Sequence, residues 1–122
     1  MNATDSLDAV LAALRRVTIR PGRPEAVLQA AVADALRAAG IPATHEYVLG
    51  PRDRVDFLAA HGIAIECKAA GRTPDVIAQV TRYAVHAVVT AVVLITTRLR
   101  HARLPRTVAG KPARLIVLHG LP

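Results

Sequence analysis

The stretch RVDFLAAHGIAIECK, residues 54–68, reads as two short strands around a tight turn, and it fixes how the rest of the chain is arranged. Residues 54–59 and 63–69 are apolar enough for strands, and Ala60-His61-Gly62 makes the loop between them. Gly62 is expected at the left-handed position of a three-residue hairpin turn. Residues whose numbers add to 122 then face each other. Asp56 stands opposite Glu66, and Arg54 opposite Lys68. Directly opposed side chains lie roughly 4.5–5.5 Å apart at Cβ, and like charges there are destabilising. Two carboxylates on strands of Val, Phe, Leu, Ile and Ala therefore need compensation, which a divalent cation supplies. Oxygen donors without thiolates suit Mg²⁺ or Mn²⁺. A slip of one residue would remove the pairing. Along the second of these strands, Ile63, Ile65 and Cys67 point into the core. Ala64, Glu66 and Lys68 point the other way. Lys68, beside Glu66, can then stabilise charge developing on a phosphate or orient an attacking water.

Upstream, residues 5–16 place Leu7, Val10, Leu11 and Leu14 on one helical face, with Thr4 or Asp5 as the expected N-cap. Arg20-Pro21-Gly22-Arg23 is a break. A second helix starts with Pro24 at its first position and stops at Gly40. Its expected apolar face is Leu28, Val32, Ala35 and Ala39, which puts Glu25 at the N-terminal end of that buried face. Residues 44–49 form a weaker strand, and Gly50-Pro51 turns the chain into residue 54.

Downstream, Gly71 ends the hairpin. Thr73 is the expected N-cap of a helix running to about His86, with Pro74 first and Asp75 complementing the dipole. Residues 88–96 are strongly β-branched, as in a buried strand. A basic loop, Arg98 to Arg106, leads to a last strand at 113–118. The order is α-α-β-β-β-α-β-β. Short turns make the first three strands antiparallel, and the helical crossover makes the third and fourth parallel. The expected fold is α/β, a mixed sheet with helices packed on it, in a single domain spanning 1–122. Its core is 24–118, with residues 1–19 as a helical extension.

An apolar content of 52% with 20% charged residues argues against disorder. The net charge of +7 attracts polyanions. Fourteen of the sixteen basic residues are Arg, the fork-shaped phosphate binder. Tyr47, Phe57 and Tyr83 are the only aromatics, too few for a row of stacking rings. With Cys67 the sole cysteine, an intrachain disulfide and a thiolate zinc cluster are both excluded. His45, His61, His86, His101 and His119 are scattered, and surface or loop roles are expected for each. The longest apolar run, Ala84 to Ile95, is too short to span a bilayer, and no leader pattern opens the chain. No membrane partner and a cytoplasmic location are expected.

Gln79 and Tyr83 lie four residues apart, on one face of the third helix. A buried amide needs partners, so Gln79 is a candidate to bond a phosphate or a metal's water. The ordered set is now complete: Glu25 in a helix, Asp56 on a strand, Glu66-Cys67-Lys68 on the next, and Gln79-x-x-x-Tyr83 on the helix that follows. It resembles the PD-(D/E)xK nuclease superfamily, and the Gln-x-x-x-Tyr element is similar to that of its RecB-like branches. The resemblance covers roughly residues 24–97. It implies a restriction-endonuclease-like three-layer α/β/α core. It implies that Asp56, Glu66 and the backbone carbonyl of Cys67 ligate Mg²⁺ or Mn²⁺. Lys68 would position the nucleophilic water, and Glu25 would hold a water on the metal or a second ion. Val55 precedes the motif Asp where many members have Pro or Gly.

The expected activity is hydrolysis of DNA phosphodiester bonds by a structure-specific or nonspecific endonuclease, as in junction resolvases or phage, mobile-element or repair nucleases. RNA stays open as a substrate. Arg23, Arg54, Arg72, Arg82, Tyr83, Arg98 and Arg100 are the candidate nucleic-acid contacts, with Arg103 and Arg106 in the same basic loop. A homodimer is expected, with the apolar face of residues 5–16 as one interface. The alternative is a non-catalytic nucleic-acid-binding module or partner subunit on the same fold. A third reading, structural ion pairs alone, predicts no divalent-metal binding.

Overall fold

The computed structural model describes residues 2–98, 101 and 103–118. Arg100 and His119 lie outside the described residues. The chain runs α1 (Ala3–Leu14), α2 (Glu25–Ala38), β1 (Ala43–Gly50), β2 (Asp53–Ala59), β3 (Ile63–Lys68), α3 (Thr73–Ala84), β4 (Ala91–Thr96), β5 (Thr107–Val108) and β6 (Lys111–Val117). A single turn of 3₁₀ helix, Ala60–Gly62, joins β2 to β3. The fold is mixed α/β. Six strands lie in the order β1-β2-β3-β4-β6-β5. β1, β2 and β3 are antiparallel, while β3, β4 and β6 run parallel. β5 is an addition to the expected order. Its two residues lie just after the basic loop that ends at Arg106 and pair with Pro112 and Lys111.

The hairpin has the expected register. Phe57 pairs with Ile65, Leu58 with Ala64 and Ala59 with Ile63, each pair adding to 122. His61 as well as Gly62 is left-handed in the loop, with φ of 64° and 79°.

Helices cover both faces of the sheet. α1 and α2 bring Leu7, Val10, Leu14, Leu28, Val32 and Leu36 against Phe57, Ile63, Ile65, Cys67 and Ile95. On the other face, Val80, Tyr83 and Ala84 of α3 meet Val55, Ala64 and Val92. Ile63, Ile65 and Cys67 thus face α1 and α2, as alternation requires. Leu7, Val10, Leu11, Leu14, Val17 and Ile19 all belong to this core cluster. The apolar face of α1 is spent inside the chain, so it is not free to join two copies.

Several local details differ from expectation. Asn2, not Thr4 or Asp5, caps α1, its side chain accepting from the Asp5 N–H at 2.8 Å. Pro24 is the N-cap of α2 and Glu25 its first residue. The buried face of α2 is Leu28, Val32 and Leu36. Ala39 falls past the helix end and is exposed. Arg72 occupies the N-cap of α3, and Thr73 begins the helix. β4 starts at Ala91, and Val88, expected within the strand, is exposed in the connection. His101, expected at the surface, is 1% exposed, and its Nδ1 lies 3.2 Å from Thr73 Oγ1.

One feature of the first two strands positions the site. Their ladder runs from Ala43↔Ala59 to His45↔Phe57, skips Glu46 and Asp56, and resumes at Tyr47↔Val55. Glu46 has φ of 55°, a conformation that non-glycine residues seldom adopt. Strict alternation would put Val55, Phe57 and Ala59 on one face. Instead Phe57 and Ala59 join the α1–α2 cluster and Val55 joins the α3 cluster. The same change of face separates His45, stacked on Phe57, from Tyr47, packed on the α3 side. Asp56 stands at this changeover.

Candidate active site

Asp56 and Glu66 come together where the β2–β3 ladder ends. The last paired residues are Phe57 and Ile65, and beyond them the strands are joined through side chains. The Cys67 N–H donates to Asp56 Oδ2 at 2.8 Å. The Asp56 N–H donates to Glu66 Oε1 at 3.3 Å. Each carboxylate thus takes a backbone N–H from the opposite strand, where a carbonyl would serve in a regular ladder. Lys68 Nζ lies 3.3 Å from Glu66 Oε2. Glu25 reaches the same place from the first turn of α2, with its Oε1 accepting from the Ala69 N–H at 3.1 Å. The structure therefore gathers Glu25, Asp56, Glu66 and Lys68 around the end of β3.

Burial dominates the electrostatics. Glu66 is 4% exposed. Its carboxyl is pushed up to about 7, first by desolvation and then by the charge of Asp56, with Lys68 pulling it down. Asp56 is also raised by burial and by Glu25, against the opposing hydrogen bond from Cys67. Among the described residues, three carboxyl groups, Glu25, Asp56 and Glu66, gather with one ammonium, Lys68.

The donor chemistry fits a hard cation. Among the described residues, no three His, Cys, Asp or Glu side chains converge as ligands. Mg²⁺ needs no such trio, because it takes one or two carboxylates and keeps several waters. The Cys67 thiol is fully buried on the α1–α2 side and pushed far up by desolvation, so it offers no thiolate. That leaves oxygen donors alone.

Gln79 and Tyr83 form a tie between α3 and β2. Gln79 Nε2 donates to Tyr83 Oη at 2.7 Å, and Tyr83 Oη donates to the Arg54 carbonyl at 3.0 Å. Tyr83 is 2% exposed, which places its ring in the core and not on a nucleic-acid-facing surface. Tyr83→Phe is expected to lower stability by about 1 kcal/mol, the worth of one such bond, as read by urea titration. A variant as stable as wild type would mean that the tie adds nothing to the fold.

The arginines separate. Arg82 Nε is 3.2 Å from Asp53 Oδ1, in a group that also holds His86 Nε2 at 2.8 Å from Asp53 Oδ2. The hydrogen bond from His86 is the main reason the Asp53 carboxyl lies below its usual range. Arg54 and Arg72 are exposed. Arg23 and Arg98 line a cavity of about 400 Å³ whose wall includes Ala69, beside the acidic cluster.

Two contributors are absent from the sequence-based set. Gln29 Nε2 donates to Asp56 Oδ1 at 3.3 Å. His45 Nε2 lies 3.1 Å from Gln29 Oε1. Gln29 is four residues after Glu25, so helical spacing was the one available signal for it. Compared with protein-family models, curated proteins and solved structures, the chain matches none. Among the described residues, no helix is long and apolar enough to cross a membrane.

Proposed function

We propose that the protein is a Mg²⁺- or Mn²⁺-dependent nuclease that hydrolyses DNA phosphodiester bonds, built on a restriction-endonuclease-like core. One observation carries this reading: half-buried Asp56 and buried Glu66 meet where the β2–β3 ladder ends, each held by the other strand's N–H group. Burying like charges this way is unfavourable unless a cation shares them. A divalent ion held by Asp56, Glu66 and the Cys67 carbonyl would supply electrophilic charge for attack by water at phosphorus. The remaining work belongs to the chain. Lys68, anchored on Glu66, holds the attacking water or a non-bridging phosphate oxygen. Glu25 fixes the end of β3 through Ala69, keeping Lys68 in place. Arg23 and Arg98 receive the flanking phosphates. Water oxygen bonds to phosphorus, one ester oxygen leaves as a hydroxyl, and the strand is cut.

The test uses plasmid, linear and branched DNA with Mg²⁺, Mn²⁺ or EDTA, and Asp56→Ala and Lys68→Ala variants. Wild type should cut only with metal. Each variant should bind DNA normally and cut at least about 100-fold more slowly. Variants that cut like wild type overturn the reading. Binding without cutting by wild type under every condition assigns the chain to a non-catalytic binding module.

A further inference from the structure

We propose that Gln29 and His45 form a positioning arm that fixes the orientation of Asp56 and so sets the affinity of the acidic site for its cation. The inference rests on the nuclease reading for the identity of the cation, but its geometry stands by itself. Asp56 lies where β1 and β2 change face, so its backbone is not held by the β1 ladder at that step. Its carboxylate is instead held from two sides. Oδ2 takes the Cys67 N–H, and Oδ1 takes Gln29 Nε2. Each oxygen keeps a further lone pair for another partner.

The amide is the side chain this position needs. It must donate toward a carboxylate, which only accepts, and accept from the other side. The reverse amide orientation would set Gln29 Oε1 against Asp56 Oδ1, lone pair against lone pair. With Nε2 turned to Asp56, Oε1 faces His45, and His45 Nε2 must carry the proton. His45 is itself fixed. Its ring stacks on Phe57 with centroids 4.7 Å apart and planes at 19°. Phe57 is the residue next to Asp56, so one β2 dipeptide supplies both the carboxylate and the platform for the arm. Left-handed Glu46 keeps His45 on the α2 side while Tyr47 turns to α3. Glu25 and Gln29, one turn apart on α2, thus hold β3 and β2 respectively.

Partners that orient metal ligands are worth roughly 10–100-fold in metal affinity or activity. The test uses the full chain with Mn²⁺ as the probe, titrated calorimetrically. Gln29→Met keeps the length and loses both hydrogen bonds. His45→Phe keeps the stack and loses one. Gln29→Met should weaken Mn²⁺ binding roughly tenfold or more, and His45→Phe less. The double variant should match Gln29→Met alone, because the two residues act in series. The Cys67 amide resonance in metal-free protein reads Asp56 orientation directly. It should shift in both variants, with urea stability near wild type. An unmoved Cys67 amide, or wild-type Mn²⁺ affinity in Gln29→Met, overturns the arm. A wild type that binds no Mn²⁺ overturns the metal centre and the affinity role. The Cys67 amide separates that result from failure of the arm's geometry.

Discussion

Replacing Glu66 by Gln should make the metal-free protein more stable and, on the proposed function, abolish DNA cleavage. Gln has the shape of Glu and can still accept from the Asp56 N–H that Glu66 Oε1 now holds. It removes the charge that burial and Asp56 both oppose. A carboxyl raised in the folded state contributes stability that is full below its unfolded value, 4.5, and lost as pH rises through about 7. Above that, ionised Glu66 costs on the order of 3 kcal/mol, a large part of the 5–15 kcal/mol typical of a domain. Urea unfolding without metal should therefore show wild type weaker at about pH 8 than at about pH 5, and Glu66→Gln nearly flat between them.

Millimolar Mg²⁺ should restore wild type at about pH 8 and leave Glu66→Gln little changed, because only the charged pair has differential affinity. Cleavage by Glu66→Gln should fall by about 10³-fold or more. Opposite signs for stability and activity mark a group kept for function. A variant less stable than wild type at about pH 8 would mean that Glu66 is a structural ion-pair partner of Lys68, and the proposed function would lose its main support.

The hairpin carrying this cluster was legible because two strong rules coincide there. A three-residue loop fixes register, and a side-chain period of two then dictates which residues face each other. Burial of Ile63, Ile65 and Cys67 on one side followed directly. The change of face at Asp56 did not, because nothing in Glu46 as a residue type announces φ of 55°. Gln29 and His45 were missed for a related reason. Their contacts join a helix to two strands at separations of 27 and 16 residues, and local periodicity is silent about such distances. His101 reads as a loop residue, yet it is buried, with its Nδ1 against Thr73 Oγ1, a contact 28 residues apart in sequence. β5, two residues long, is below the length at which alternation is visible. Ala39 was assigned to the core by its spacing, but the helix ends before it.

Gly62→Ala should be the most damaging single methyl in the chain's hairpin, and the reason is contact more than torsion. Gly62 has φ of 79°, and a Cβ there would sit 2.1 Å from the Val88 carbonyl oxygen, with Thr90 Cγ2 at 3.2 Å and Thr90 N at 3.3 Å. The obstacle is backbone, which cannot swing aside as a side chain would. The Gly62 carbonyl accepts from the Thr90 N–H at 2.8 Å, and the His61 carbonyl accepts from the Thr90 hydroxyl, so the loop is docked on the connection into β4. Relieving the clash breaks that docking, beside the Ile63↔Ala91 pair that starts the parallel ladder. A left-handed non-glycine residue costs about 1–2 kcal/mol, and forced overpacking about 1–3 kcal/mol more. Gly110 supplies the control, with φ of 74° and nothing within 4 Å of its added Cβ. Gly110→Ala should show the torsional cost alone, about 1–2 kcal/mol, while Gly62→Ala should lose about 2–5 kcal/mol in urea titration. The acidic cluster sits at the far end of the same hairpin, so Mn²⁺ affinity should fall with Gly62→Ala and hold with Gly110→Ala. Equal losses from the two variants would show that the approach of Val88 is not what requires glycine at this turn.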